Sequence, residues 1–134
     1  MPSSTLHSWT HGAVMLDSEH TRFALWAPDA REVSVELADG QSLPMRPEAD
    51  GWFVIQARCP AGSRYRYTID RQIQVPDPAS RAQDGDVHGP SLVVDHNAYA
   101  WQQPQWRGRP WHEAVIYELH VGVMGGYLAV QQAL

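Results

Sequence analysis

A single cysteine, no lysine and no long apolar run are what this 134-residue sequence offers least of. With Cys59 alone, neither an intrachain disulfide nor a cysteine-based metal cluster is available, and the usage fits a reducing compartment. All ten cations are arginine. That bias reads as the codon usage of a GC-rich genome, because nothing in the placement of the arginines demands bidentate recognition. Against fifteen carboxylates they leave a net charge of -5 and a pI near 5.7. No basic stripe exists to neutralise phosphates or anionic lipid, which excludes nucleic acid and membrane surfaces as expected partners. The start, Met1 to Thr10, lacks the basic-then-apolar order of a secretory leader, and no stretch approaches the length of a membrane span. The cytoplasm is the expected address. The length itself leaves room for about one domain of ordinary size, so a large multidomain enzyme is not contained in this chain.

What is present is a globular composition, 43% hydrophobic, enriched in turn formers by ten glycines and ten prolines. From Gly12 to Asp95 the dominant pattern has period two. From Thr21 to Trp26, Phe23 and Leu25 fall on one face. Val33, Val35 and Leu37 oppose Glu32, Ser34 and Glu36, while Tyr65, Tyr67 and Ile69 oppose Arg64, Arg66 and Thr68. Turn signals at Pro28-Asp29, Asp39-Gly40, Asp50-Gly51, Pro60-Ala61-Gly62 and Asp70-Arg71 separate these segments. Adding Ala13 to Leu16, Ser42 to Met45, Trp52 to Ala57 and Leu92 to Val94 makes about seven short strands, the pattern of an all-β, immunoglobulin-like antiparallel sandwich. No helical periodicity precedes residue 112.

Val75 to Pro90, carrying Pro76, Pro78, Gly85, Gly89 and Pro90, reads as an ordered crossing loop. The expected organisation is a tail over 1–11, a sandwich over 12–96, a linker over 97–112 and a further element over 113–134. Ala114 to Val121 is nearly continuously apolar and β-prone, as expected of a strand covered on both faces in a parallel sheet. Gly125-Gly126 then leads into Tyr127 to Leu134, which predicts the first turns of a helix. One strand and a short helix cannot bury themselves, so 113–134 is expected to open a domain whose remainder is missing.

Four constellations invite a chemical reading. Six tryptophans suit a carbohydrate platform, since the flat face of a pyranose stacks on indole; the stronger reading is that Trp9, Trp26 and Trp52, in or near strands, fill a core or seal a domain contact. His7 and His11 have i, i+4 spacing without a helix or a third ligand, so no metal is expected there. Asp77, Asp84 and Asp86 crowd one loop as oxygen donors for calcium, but lack EF-hand spacing and equally fit local Asx turns. Glu118 and His120 share one face of the expected last strand, with Tyr117 and Leu119 on the other. At the mouth of a barrel, Tyr117, Glu118 and His120 would be substrate contacts; the plainer reading is a hydrogen-bonded polar pair inside it. Gly-rich phosphate loops, nucleophile elbows and serine triads are absent, and no cofactor is expected.

The segments Arg22-Phe-Ala-Leu-Trp-Ala-Pro28, Gly62-Ser-Arg-Tyr-Arg-Tyr67, Val75-Pro-Asp-Pro-Ala-Ser-Arg81, Val87-His-Gly-Pro-Ser91 and Trp111-His-Glu-Ala-Val-Ile-Tyr-Glu-Leu-His-Val-Gly122 are collinear. Together they resemble the N-terminal part of the maltooligosyltrehalose trehalohydrolase family, within the α-amylase superfamily. The resemblance implies a sandwich of the early-set, carbohydrate-binding-module-48-like kind followed by the first strand and first helix of a truncated (β/α)8 barrel. It implies a parent enzyme that cleaves the α-1,4 bond next to the terminal trehalosyl unit of maltooligosyltrehalose, with retention. An Asp nucleophile, a Glu acid/base and a second Asp would do that chemistry. Those carboxylates belong to later barrel strands and match no position here, so no catalytic residue is assigned and the chain alone is expected to be inactive. Its partner would be an α-glucan or maltooligosyltrehalose, reached through the missing barrel. Val123-Met-Gly-Gly126 departs from the family's longer loop of Thr-Phe-Thr-Pro character. The alternative is a glucan-binding or structural module of a glycogen branching or debranching enzyme.

Overall fold

The computed structural model describes residues 10–134, and His7 and Trp9 lie outside them. The chain divides into two compact units, the first ending at Tyr99 and the second running from Ala100 to Leu134.

The first unit is built from two antiparallel sheets. One contains β1 (Gly12–Met15), β2 (His20–Trp26), β5 (Arg46–Pro47) and β6 (Trp52–Arg58), in the order β1-β2-β6-β5. The other contains β3 (Val33–Leu37), β4 (Ser42–Pro44), β7 (Arg64–Ile69), β8 (Ile73–Val75) and β9 (Ser91–Leu92). It runs β4-β3-β7-β8, and β9 pairs with β7 beyond the end of β8. The period-two pattern decides which residues meet. Thr21, Phe23 and Leu25 of β2 face inward opposite Ala57, Ile55 and Phe53 of β6. Val33, Val35 and Leu37 of β3 sit opposite Ile69, Tyr67 and Tyr65 of β7. The two inner faces meet where Phe23 and Tyr65 pack edge to face, ring centroids 4.9 Å apart, with Tyr67 a further 5.8 Å from Tyr65. Phe23, Val35 and Tyr67 are fully buried, which makes this contact the centre of the core.

Each strand read from the alternation is found within a residue or two of its expected ends. Two further strands carry no such signal. β5 is two residues long and includes Pro47, tolerated because β5 lies at a sheet edge. β8 follows a tight turn in which Asp70 and Arg71 both have positive φ, 50° and 55°, and Gln72 N–H donates to Ile69 O at 3.0 Å. That twist suits a hairpin but strains a side chain with a β-carbon. Arg71→Gly is therefore expected to raise stability by about 0.5–1 kcal/mol. The exposed ion pair it gives up, Arg71 to Glu32 at 2.7 Å, is worth little in water. Urea unfolding checks this; a loss of stability would mean the ion pair outweighs the strain.

In the second unit, the expected helix is present as α1 (Tyr127–Ala133), preceded by a 3-10 turn at Trp111–Glu113. The expected strand is not. Residues 114–120 have no regular secondary structure, and Val115, Ile116 and Tyr117 are 94, 73 and 71% exposed. The physical reason is plain: a strand is stabilised by neighbours that accept and donate its backbone hydrogen bonds, and no described strand pairs with this segment. No helix among the described residues is long and apolar enough to cross a membrane.

Candidate functional site

With the odd-numbered residues of β2 and β6 turned inward, the even-numbered ones form an outward ladder. Trp26 stands opposite Trp52, Ala24 opposite Val54, Arg22 opposite Gln56 and His20 opposite Arg58. Trp26 is 57% exposed, so of the two packing roles expected of it, core filler and seal of a domain contact, the first does not hold. Its indole is nevertheless fixed, because Nε1–H donates to Asp50 O at 2.9 Å. That carbonyl belongs to the Asp50-Gly51 turn, where both residues have positive φ. Ala27 N–H donates to Gly51 O at 2.9 Å, and a β-carbon at Gly51 would stand 2.6 Å from Pro28 Cα. Trp-Ala-Pro and Asp-Gly thus hold one another, and only glycine permits the contact. From beyond the start of β1, His11 reaches across β2 to Trp52, ring centroids 4.7 Å apart at 70°. His11, Trp26 and Trp52 together make an ordered aromatic surface over the small, buried Ala24 and Val54.

A second cluster lies inside the unit. Asp77 is only 4% exposed. Its Oδ2 accepts from Tyr65 Oη at 2.7 Å and Tyr67 Oη at 3.2 Å, and its Oδ1 accepts from Ala79 N–H at 2.7 Å. Asp77 N–H donates to Ser91 Oγ at 2.9 Å. Burial, followed by the Asp77 charge, pushes both tyrosine hydroxyls well above their ordinary ionisation range. Outside, Arg64 Nε donates to Asp84 at 2.6 Å and Arg66 to His88 O at 2.7 Å, tying the crossing loop over β7. At Gly89 a β-carbon would fall 1.9 Å from Asp84 O, so this loop can close only around glycine. Motifs far apart in sequence, Tyr-x-Tyr, Pro-Asp-Pro-Ala-Ser-Arg and Val-His-Gly-Pro-Ser, therefore converge on a single structural lock.

The other predicted site residues are dispersed. Asp77, Asp84 and Asp86 do not assemble into a calcium site. The first binds tyrosines, the second Arg64, and the third forms an Asx turn with His88 N–H at 2.8 Å. Among the described residues no group of three potential metal ligands occurs. Tyr117, Glu118 and His120 are exposed in the irregular segment, and His120 Nδ1 accepts from Val123 N–H at 3.1 Å. A groove of about 370 Å³ on the outer side of β3 and β4 holds Glu36, which is already engaged by Ser34 and Ser42. Burial raises the Glu36 pKa, and the hydroxyls around it more than offset this, leaving it below the usual carboxylate value. The His11–Trp52 contact and the Tyr-Asp lock were not foreseen by sequence reasoning, since both depend on contacts between distant segments.

Comparison with known proteins gives a consistent picture. Residues 10–84 match the model of carbohydrate-binding module 48 (isoamylase N-terminal domain). The chain is 38% identical over 105 residues to a malto-oligosyltrehalose trehalohydrolase of Arthrobacter ramosus, covering 75% of this chain and 18% of that protein. It is 35% identical over 108 residues to the one from Saccharolobus solfataricus, covering 80% and 19%. A 1,4-alpha-glucan branching enzyme of Rhizobium johnstonii is 34% identical over 135 residues, covering 86% and 18%. Among solved structures, a Salmonella typhimurium protein described as an alpha amylase superposes with a TM-score of 0.73 at 40% identity, covering 86% of this chain and 20% of that one. The chain thus spans about a fifth of the length of the curated relatives it matches.

Proposed function

Since this chain belongs to the carbohydrate-binding module 48 (isoamylase N-terminal domain) family, we propose that it is the accessory sandwich of a trehalose-forming glycoside hydrolase that acts on maltooligosyltrehalose. In this reading residues 12–96 form the sandwich, 97–112 a linker and 113–134 the opening of a (β/α)8 barrel, all in the cytoplasm. The exposed apolar side chains of Val115, Ile116 and Tyr117 become the inner and outer faces of the first barrel strand once neighbouring strands pair with them. Tyr117, Glu118 and His120 then sit near the barrel mouth as contacts to the substrate. The sandwich supplies no acid, base or nucleophile. The nucleophile and acid/base of a retaining glycosidase stand about 5 Å apart across a cleft, and they come from elements beyond these.

The observation that carries the proposal is the similarity to trehalohydrolases, 38% and 35% identity over most of this chain. The collinear motifs of this sequence hold the loop, turn and core contacts just described, which supports this reading over a generic sandwich. A chimera tests it. The present 134 residues replace the corresponding segment of the Arthrobacter ramosus trehalohydrolase, and trehalose release from maltooligosyltrehalose is assayed. The chimera is expected to retain activity, and the 134 residues alone to release none above solvent background. A folded but inactive chimera, beside an active one built the same way on the branching enzyme, would transfer the module to the branching family. Turnover by the chain alone would overturn its accessory role.

A further inference from the structure

We infer that the outward face of β2 and β6, centred on Trp26 and Trp52 with His11 at its border, is a binding platform for a linear α-glucan. The inference rests on the carbohydrate-binding family reading and adds a site to it.

Directly opposed residues on antiparallel strands hold their β-carbons about 5 Å apart, so Trp26 and Trp52 present neighbouring indoles on one face. Four residues along the same ladder, a distance of about 13 Å, Arg22 and Gln56 add polar side chains, Gln56 exposed and Arg22 half-buried. Between the two pairs lie Ala24 and Val54, small, apolar and themselves buried. Flat rings at one end and hydrogen-bonding groups at the other suit a ligand whose sugar rings offer C–H faces and hydroxyl edges in sequence.

The ordering of the rings argues for binding rather than incidental exposure. The indole of Trp26 is tethered through its N–H to Asp50 O while the residue stays more than half exposed, and Trp52 meets His11 edge to face. A ligand meeting rings already held in place loses little side-chain entropy on docking. An anionic ligand fits less well: Arg58 on the ladder and Arg46 beside it are paired with Glu19 and Glu48, and Arg22 donates to Thr10 O. Two other surfaces of the unit are engaged by the protein itself. The outward arginines of β7 hold the crossing loop, and the Ser34–Glu36–Ser42 groove satisfies its own polar groups.

Titration of the 134-residue chain with maltoheptaose, followed by calorimetry and by the indole N–H resonances in nitrogen-15 spectra, tests the platform. Saturable binding at millimolar or lower concentration is expected, with shifts at Trp26 and Trp52 and none at Trp106. Trp26→Ala and Trp52→Ala are each expected to weaken binding about ten-fold. Trp26→Phe, which keeps a ring without the indole N–H, retains most of it. The wild-type resonances decide the question even if an alanine variant fails to fold. Binding that leaves Trp26 and Trp52 unshifted would overturn the platform while preserving glucan recognition elsewhere on the module. A flat titration would overturn the platform and point to another occupant of this face, such as further chain of the parent enzyme; the trehalohydrolase assignment would still be judged by the chimera.

Discussion

Asp77→Ala is expected to lower the unfolding free energy by about 3–5 kcal/mol, a large part of the total stability of a domain this size. The carboxylate is the shared acceptor for two buried phenols, Tyr65 and Tyr67, and caps the turn at Ala79. Truncation leaves both hydroxyls inside the core without their acceptor, at about 1–3 kcal/mol each, and frees the start of the crossing loop. Asp77→Asn retains one acceptor oxygen and should cost less. Tyr65→Phe removes a single donor and should cost about 1–2 kcal/mol. Urea unfolding of the two single variants and the double variant Tyr65→Phe/Asp77→Ala measures the coupling. A double variant well short of the sum of the singles is the signature of a shared network. A loss below about 1 kcal/mol for Asp77→Ala would mean that water readily takes the place of the carboxylate.

The lock at Asp77 also shows where sequence reading stops. Strand positions were legible because burial on one face imposes period two: 21, 23 and 25 inward, 22, 24 and 26 outward. The same alternation, carried one step further, places Trp26 with Arg22 on the outside; its indole N–H bond to Asp50 O, by contrast, depends on a turn 24 residues away. Asp77 reads in sequence as a loop carboxylate suited to a local Asx turn, which it makes with Ala79 N–H, but nothing adjacent to it announces the tyrosines it also binds. Its partners arrive from β7, 10 and 12 residues earlier, only after the chain has folded back. β5 and β8 were missed for a related reason: two or three residues cannot display a period, and their pairing is dictated by β6 and β7. The motifs resembling trehalohydrolase were legible as a pattern, whereas their shared role as a clamp on one loop needed the three-dimensional arrangement.

The same cluster makes the domain sensitive to alkali. Tyr65 and Tyr67 are 2% and 0% exposed, and burial together with the neighbouring Asp77 charge raises both phenols above the usual tyrosine value of 10.0. The sign follows from proton counting. Below pH 10 both hydroxyls are protonated in the folded and the unfolded chain, so neither makes stability depend on pH. Above it the unfolded chain releases protons that the folded one retains, and stability falls as pH rises. Each such group contributes a slope of up to about 1.4 kcal/mol per pH unit, so the pair gives up to about 2.7 kcal/mol per unit between pH 10 and 12. The expected result is cooperative alkaline unfolding, seen as simultaneous loss of β-sheet circular dichroism and growth of tyrosinate absorbance. In the Tyr65→Phe/Tyr67→Phe variant the neutral-pH stability is lower, but its decline above pH 10 is flatter. Tyrosinate absorbance that grows fully while the sheet signal stays intact would show that both phenols ionise within the folded core, and the burial argument would fail.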